Sequence, residues 1–311
     1  MKFDSWLTHF QSNPARHQEL EAKIEWDAPA TLAGPARRAF VRSFQRFELG
    51  ESGDGERLLA KATIAGDSTY LAALELLVRE EQKHSALFRR GLDRLQAPTL
   101  GSHWSDTAFT TLRRMLGLRT ELALFLIAET VARGYFIALA DHAPDTVLRG
   151  IGRRIATDER DHIRFQIDRL RVGFRRTPGA VRAVIGLAWF FVAAGATTVL
   201  VVDHHTALRA CGLSPVTYWS RAMRQFRLAA QSVLVTPWEE PLGPSTKNRQ
   251  ATRAPSGLDR HAPDTSPVAE REGWPAMGQG RLTFIVPAKG SACGTLPDNA
   301  HQQSAGWCVL C

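Results

Sequence analysis

Apolar residues recur with helical spacing through most of the first 236 residues, and this pattern predicts an all-α protein. Four long amphipathic helices are expected, each with one apolar stripe. They run from Gly34-Pro35 to about residue 51, over about 68–95, from near Ser105 to about residue 141, and from the turn at 142–145 to Pro178-Gly179. Four stripes of this kind predict a four-helix bundle over residues 34–178.

The segments outside this bundle have different patterns. Residues 1–33 are expected to form one or two short helices broken at Pro14 and Pro29, with no chemistry of their own. Residues 179–236 predict an apolar helix followed by an amphipathic one. Residues 237–311 are rich in Pro, Gly, Ser, Thr and Arg without any period, which is typical of a disordered tail.

Residues 183–202 are nearly uncharged, and a run of about twenty apolar residues has the length of a membrane span. The alternative is a fifth helix that covers the bundle or forms a homodimer surface. The amphipathic character of the other helices favours this alternative. Met1 to Trp6 also lack the apolar core of a signal peptide. We therefore expect a cytoplasmic protein, with membrane association through 183–202 as the other reading.

Composition narrows the function classes only slightly. The chain has 311 residues with 44% hydrophobic and 23% charged residues, as in ordinary soluble proteins. A net charge of +8 suits nucleic acid or an anionic membrane, but no nucleic-acid-binding motif accompanies it, so no nucleic-acid partner is predicted. All four cysteines follow residue 210, which argues against a disulfide framework. The Cys308/Cys311 pair has metal-pair spacing but stands alone.

The candidate chemistry lies on the apolar stripes. Each of the four helices places one glutamate there, and a carboxylate among Leu, Phe and Ile is costly unless a cation compensates it. Two divalent metals would balance four such charges, and two histidines three residues after a glutamate would each add a neutral nitrogen ligand. The predicted metal ligands are Glu51, Glu81, His84, Glu129, Glu159 and His162.

Neighbouring acidic residues compete for these roles. Glu48 and Glu80 lie off the apolar stripes and are therefore excluded as ligands. Glu121 lies two turns from Glu129, which favours a supporting or ion-pairing role. Tyr135 follows Glu129 by six residues, and its pattern favours packing over a redox role.

Equal spacing adds independent support. Glu51 and Glu81 are 30 positions apart, as are Glu129 and Glu159, and a histidine follows at the third position in both second helices. Residues 40–88 and 118–166 therefore look like two copies of one helical hairpin. Two such hairpins packed about a two-fold axis would form a dinuclear carboxylate bundle.

At this point the chain resembles the ferritin-like superfamily, and Gly50-Glu51-Ser52 followed by Glu81-x-x-His84 is similar to rubrerythrin-type proteins. The resemblance covers about residues 35–175 and lacks the Cys-x-x-Cys pairs of a rubredoxin domain. It implies two iron ions, with manganese or a mixed pair as alternatives. It also implies dioxygen or peroxide, a small-molecule substrate and an external electron donor.

Three functions remain open at this stage. The first is an oxidoreductase or oxygenase that uses dioxygen or peroxide, with an unknown substrate and no assigned catalytic residue beyond the ligands. The second is a non-enzymatic iron-binding or storage protein. The third is a membrane-associated helical bundle whose carboxylates are paired with arginines and whose histidines are core residues.

Overall fold

The computed structural model describes residues 3–114, 116–236 and 241–245. Within these residues the chain folds into nine helices with no strand, which confirms the predicted all-α class. The predicted disordered tail, 237–311, lies outside the described residues apart from 241–245. The helices are α1 (Asp4–Glu21), α2 (Gly34–Glu51), α3 (Glu56–Ile64), α4 (Ser68–Arg94), α5 (Trp104–Arg114), α6 (Leu118–His142), α7 (Thr146–Phe174), α8 (Gly179–Ala210) and α9 (Pro215–Leu234).

Two antiparallel helix pairs form the centre of the fold. In the first pair, Arg37 at the start of α2 donates to the carbonyl of Leu95 after the end of α4, while Ser85 of α4 donates to the carbonyl of Glu48. The second pair, α6 and α7, has the most extensive helix-to-helix contact among the described elements. The pairs meet where α4 packs against α7, so the four helices enclose one core.

Aromatic rings fill that core between α2, α4 and α6. Phe44 packs edge-on against Phe88 at 5.1 Å between centroids, and Phe47 lies 4.9 Å from Phe136. The apolar stripe predicted for α2 therefore faces this core, with Phe44 fully buried and Phe47 half-buried. α2 also continues through Gly50 to Glu51. The space around Gly50 is open, so a side chain there would meet no neighbour. The aromatic packing fixes the direction in which the end of α2 enters the bundle.

Two elements differ from the sequence-based expectations. The prediction of one long third helix is wrong. α5 ends at Arg114 and α6 begins at Leu118, and Gly117 between them takes the extended conformation of a helix N-cap. α3 was not predicted at all. It begins after Gly55, whose φ of +69° and close contact with the Val78 side chain both require glycine.

The N-terminal segment also differs, because α1 is one helix that Pro14 does not break. Proline removes one backbone hydrogen bond from a helix interior. Burial compensates here, since Trp6, Phe10, Asn13 and His17 form one face that packs on α4 and α7. The Trp6 indole nitrogen donates to Asp168 of α7 at 2.9 Å. α1 therefore closes one side of the bundle.

α8 and α9 cover another part of the bundle. The inner face of α8 is buried, and its His204 ring lies 2.7 Å from the Ser43 hydroxyl of α2, which in turn contacts the Tyr135 hydroxyl of α6. By length and composition both α6 and α8 qualify as candidate membrane spans, a test that core helices of soluble proteins also pass. The apolar window of α6 is 61% buried, whereas that of α8 is 28% buried.

Gly152 marks the closest approach of α6 and α7. A Cβ there would lie 2.7 Å from the Ala140 backbone nitrogen and 2.9 Å from the Phe136 carbonyl oxygen. We expect Gly152→Ala to destabilise the fold, because overpacking against backbone costs about 1–3 kcal/mol and outweighs the gain in helix propensity. Urea unfolding measures this, with Gly50→Ala as the matched control because that position has open space. Equal stability of the two variants would contradict the close packing.

His204 gives the fold a specific acid sensitivity. Burial lowers its pKa to about 3, helped by the positive charge of Arg46. The unfolded chain takes up a proton on this residue near its ordinary pKa, while the folded chain does not, so stability falls as pH is lowered below that value. Between about pH 6.5 and pH 5 the loss should be about 2 kcal/mol in the metal-free protein. His204→Gln should unfold with a shallower pH dependence in urea titrations, and an unchanged slope would contradict this assignment.

Candidate metal centre

The structure brings four of the six predicted side chains within ligand distance of one another, on α4 and α7. One ligand atom each from Glu81, His84, Glu159 and His162 lies within 4.8 Å of the others. Glu51 and Glu129 lie close enough to this group for the charges of Glu81 and Glu159 to raise the pKa of both carboxyls. The contributing helices are α2 (Glu51), α4 (Glu81 and His84), α6 (Glu129) and α7 (Glu159 and His162).

Both imidazole rings direct their Nδ1 atoms towards the carboxylates of the cluster. Nδ1 of His162 lies 2.8 Å from Oε1 of Glu81. Nδ1 of His84 lies 3.4 Å from Oε2 of Glu81 and 3.5 Å from Oε1 of Glu159. The rings stack with their centroids 5.5 Å apart, and both side chains are fully buried. Both Nδ1 atoms therefore face the carboxylates.

The opposite nitrogen of each ring is held by a second carboxylate from the other motif. Nε2 of His84 lies 3.1 Å from Asp158, and Nε2 of His162 lies 2.9 Å from Glu80. Glu80 and Asp158 each come immediately before the glutamate of a Glu-x-x-His motif. A proton on Nε2 is shared with the carboxylate, which leaves the Nδ1 lone pair directed inward. The two motifs thus orient each other's histidines.

Glu80, placed off the apolar stripe by the sequence pattern and excluded as a ligand on that ground, is buried in the structure. The residue is only 4% exposed, because α1 covers the side of α4 on which it lies. Asp158 was not singled out by the sequence, although its place before Glu159 matches that of Glu80 before Glu81. Glu48 is also buried, but its carboxylate pairs with Arg89 at 2.6 Å. Glu121 pairs with Lys61 at 2.6 Å, in agreement with its expected pairing role.

α1 supplies further contacts to these residues, from a region to which the sequence assigned no chemistry. The Asn13 amide donates to Glu80 at 2.8 Å, and Nε2 of His17 lies 3.2 Å from Asp158. His17, Glu80 and Asp158 are close enough to suggest a second ion site. However, Arg154 already pairs with Asp158, so this group is a hydrogen-bonded support. The helical spacing of Phe10, Asn13 and His17 was the signal that could have revealed it.

The carboxylates of the cluster are close enough to repel one another when they are charged. Burial and the neighbouring carboxylates raise the pKa of Glu51 and of Glu129 well above the ordinary value, and raise the pKa of Glu159 to about 7. Burial opposes charge on His84, but Asp158 and Glu81 outweigh it and raise its pKa to about 9. Burial alone would raise the pKa of Glu81, yet both histidines hold it below the ordinary range. The raised pKa values mean that protons bound to these carboxyls and to His84 offset part of the negative charge of the cluster.

Five buried atoms of the predicted ligand set form no hydrogen bond of normal geometry, although Oε1 of Glu81 and Nδ1 of His162 form an ion pair at 2.8 Å. Buried polar atoms are normally satisfied, so such a concentration is unusual. Oxygen atoms from several carboxylates together with imidazole nitrogens suit a divalent cation such as iron or manganese. The residues present therefore fit a metal site. The atoms are Oε1 of Glu81, Nδ1 of His84, Oε2 of Glu129, Oε2 of Glu159 and Nδ1 of His162.

Comparison of the chain with protein-family models, with curated proteins and with solved structures finds no match. What is established is a helical bundle with a buried carboxylate and histidine cluster that could bind metal.

The support from Glu80 can be tested directly. Glu80→Ala removes the partner of the His162 Nε2 proton, and loss of such a partner lowers metal affinity by about 10- to 100-fold. We expect iron or manganese titration to show this weakening, with Glu48→Ala as the control because Glu48 is equally buried but pairs with Arg89. If both variants bound metal as tightly as the unaltered chain, the role of Glu80 would be refuted.

Proposed function

We propose that the chain is a dinuclear iron carboxylate protein with a ferritin-like bundle formed by α2, α4, α6 and α7. The donor set of the cluster carries this proposal, because Nδ1 of both histidines faces the carboxylates and one buried oxygen each of Glu129 and Glu159 accepts no hydrogen bond. Glu81 with His84 would hold one metal, and Glu159 with His162 the other. Glu51 and Glu129 would bridge the metals or complete one of them.

Iron is the metal proposed first, with manganese or a mixed pair as alternatives. Four carboxylates carry four negative charges, which two divalent ions balance while the histidines remain neutral ligands. Carboxylate-rich sites with one imidazole per metal suit these ions better than zinc or copper. The hydrogen bonds that Nε2 of His84 and of His162 would donate to Asp158 and Glu80 leave Nδ1 of both rings as the metal-binding atom.

The activity that we propose is an oxidoreductase or oxygenase reaction driven by dioxygen or peroxide. A reduced metal pair would supply the electrons for reduction of either oxidant. The side chain of Glu81 is 18% exposed, whereas both histidine side chains are fully buried. Glu51 and Glu129 are partly exposed as well. Small molecules would therefore approach from the carboxylate side, while α1 closes the histidine side.

The chain itself would orient the ligands and exclude water behind them. Phe10 lies 6.1 Å from the His162 ring and packs against Phe165, which keeps the histidine side apolar beyond its hydrogen bonds. The sequence has no pair of Cys-x-x-Cys motifs, so electrons would come from an external donor. The small-molecule substrate is part of the proposal only as a class.

Anaerobic loading with Fe(II) tests the metal proposal. We expect about two irons per chain by metal analysis, and less than about one after combined Glu81→Ala and Glu159→Ala substitution, because both metals lose a carboxylate. Glu121→Gln is the control, since Glu121 is buried but pairs with Lys61 instead of joining the cluster. Unchanged iron content in the double variant would refute the site.

Addition of dioxygen to the loaded protein then separates the activities. The oxidoreductase proposal expects rapid uptake of dioxygen and a fixed iron content in a particle of small size by light scattering. Iron accumulation far beyond the ligand number, in a large shell, would instead support storage. The unloaded protein and the double variant should show no uptake beyond that of Fe(II) in buffer.

A further inference from the structure

α8 carries a continuous apolar strip on its outward face. Along the strip, Val184 is 69% exposed, Phe191 66% and Val202 63%. The strip follows the helix for about 30 Å at 1.5 Å per residue. Contiguous exposed apolar surface of this length is typical of an interaction site. Its most exposed members are Val181, Val184, Leu187, Phe190, Phe191 and Val202.

The strip cannot become a membrane span without dismantling the fold. The opposite face of α8 is buried against the bundle and α9, and it includes the polar contact between His204 and Ser43. A spanning helix would have to exchange these partners for lipid. The strip can enter an apolar phase only with the helix lying parallel to the surface.

The chain segment that contains the strip is rich in arginine and has almost no acidic residues. Residues 175–235 contain seven arginines and one acidic residue, Asp203, which pairs with Arg46. Arg175 and Arg176 are exposed just before α8 begins, and exposed arginines of α9 run beside it. Among the described residues, no carboxylate forms an ion pair with Arg221, Arg224 or Arg227.

The outward faces of α8 and α9 adjoin, which places these charges next to the apolar side chains. The Trp219 indole of α9 donates to the exposed Thr198 hydroxyl of α8 at 3.1 Å. The helices are antiparallel, because Thr197 contacts Met223 while Gly186 lies near Leu234. The arginines at 224 and 227 therefore lie level with the middle of the strip.

We propose that this face of α8 and α9 docks on an anionic lipid surface, with α8 lying in the plane of the membrane. An apolar helix face flanked by arginines combines burial among acyl chains with attraction to acidic headgroups. A second copy of the chain fits less well, because a two-fold contact between two such strips would bring the arginine rows together. The inference is independent of the metal site.

Vesicle sedimentation with the full chain tests this docking. We expect binding to vesicles of phosphatidylcholine with phosphatidylglycerol, weaker binding to phosphatidylcholine alone, and loss of the difference at high salt. Val184→Glu with Phe191→Glu should weaken binding by about tenfold or more, because both changes place charge in the apolar phase. Arg224→Gln with Arg227→Gln should weaken binding only to the anionic vesicles.

Ile64→Glu is the matched control, because Ile64 is 87% exposed at the end of α3, outside the strip. It should bind vesicles like the unaltered chain, and all variants should keep their helical circular dichroism and metal content. Failure of the unaltered chain to bind anionic vesicles would overturn the proposal. So would equal binding by the strip variant, a requirement for detergent to release the bound chain, or a dimer that the strip variant converts to a monomer.

Discussion

The repulsion among four carboxylates enclosed by four helices is the constraint on which the structure depends. Each glutamate comes from a different helix, so the helices can approach only if the charge is neutralised. In the metal-free chain protons and two charged histidines do this, as the raised pKa of Glu51, Glu129, Glu159 and His84 shows. Divalent cations would do it without protonating the ligands. Binding of metal at this cluster would therefore be coupled to folding.

The sequence was sufficient for the helical class and for the proximity of Glu81, His84, Glu159 and His162. Both predictions followed from apolar periodicity. An acidic residue on an apolar stripe is costly to bury, so its presence there indicates a compensating partner. The two equal spacings of thirty residues, Glu51 to Glu81 and Glu129 to Glu159, arise from different chain paths. Sixteen residues separate Glu51 from α4 (52–67), and sixteen separate Glu129 from α7 (130–145), yet the first stretch leaves the helix and forms α3 while the second extends α6. Spacing alone could not distinguish these paths.

The surroundings of the cluster were harder to predict. Glu80 was excluded because one stripe was assumed for α4, whereas α1 gives that helix a second buried side. In the sequence, the polar residues Asn13 and His17 of α1 are typical of a solvated surface, whereas in the fold they contact the buried Glu80 and Asp158. Which helix covers which side is a property of tertiary packing. Periodicity within a single segment carries no information about it.

The crossed support of the histidines links the two halves of the cluster. His84 belongs to the first hairpin but is held by Asp158 of the second, and His162 of the second is held by Glu80 of the first. Neither half can orient its own imidazole alone. Occupation of one half would therefore organise the other in advance, so the two ions would bind cooperatively and a chain carrying a single ion would be a minor species.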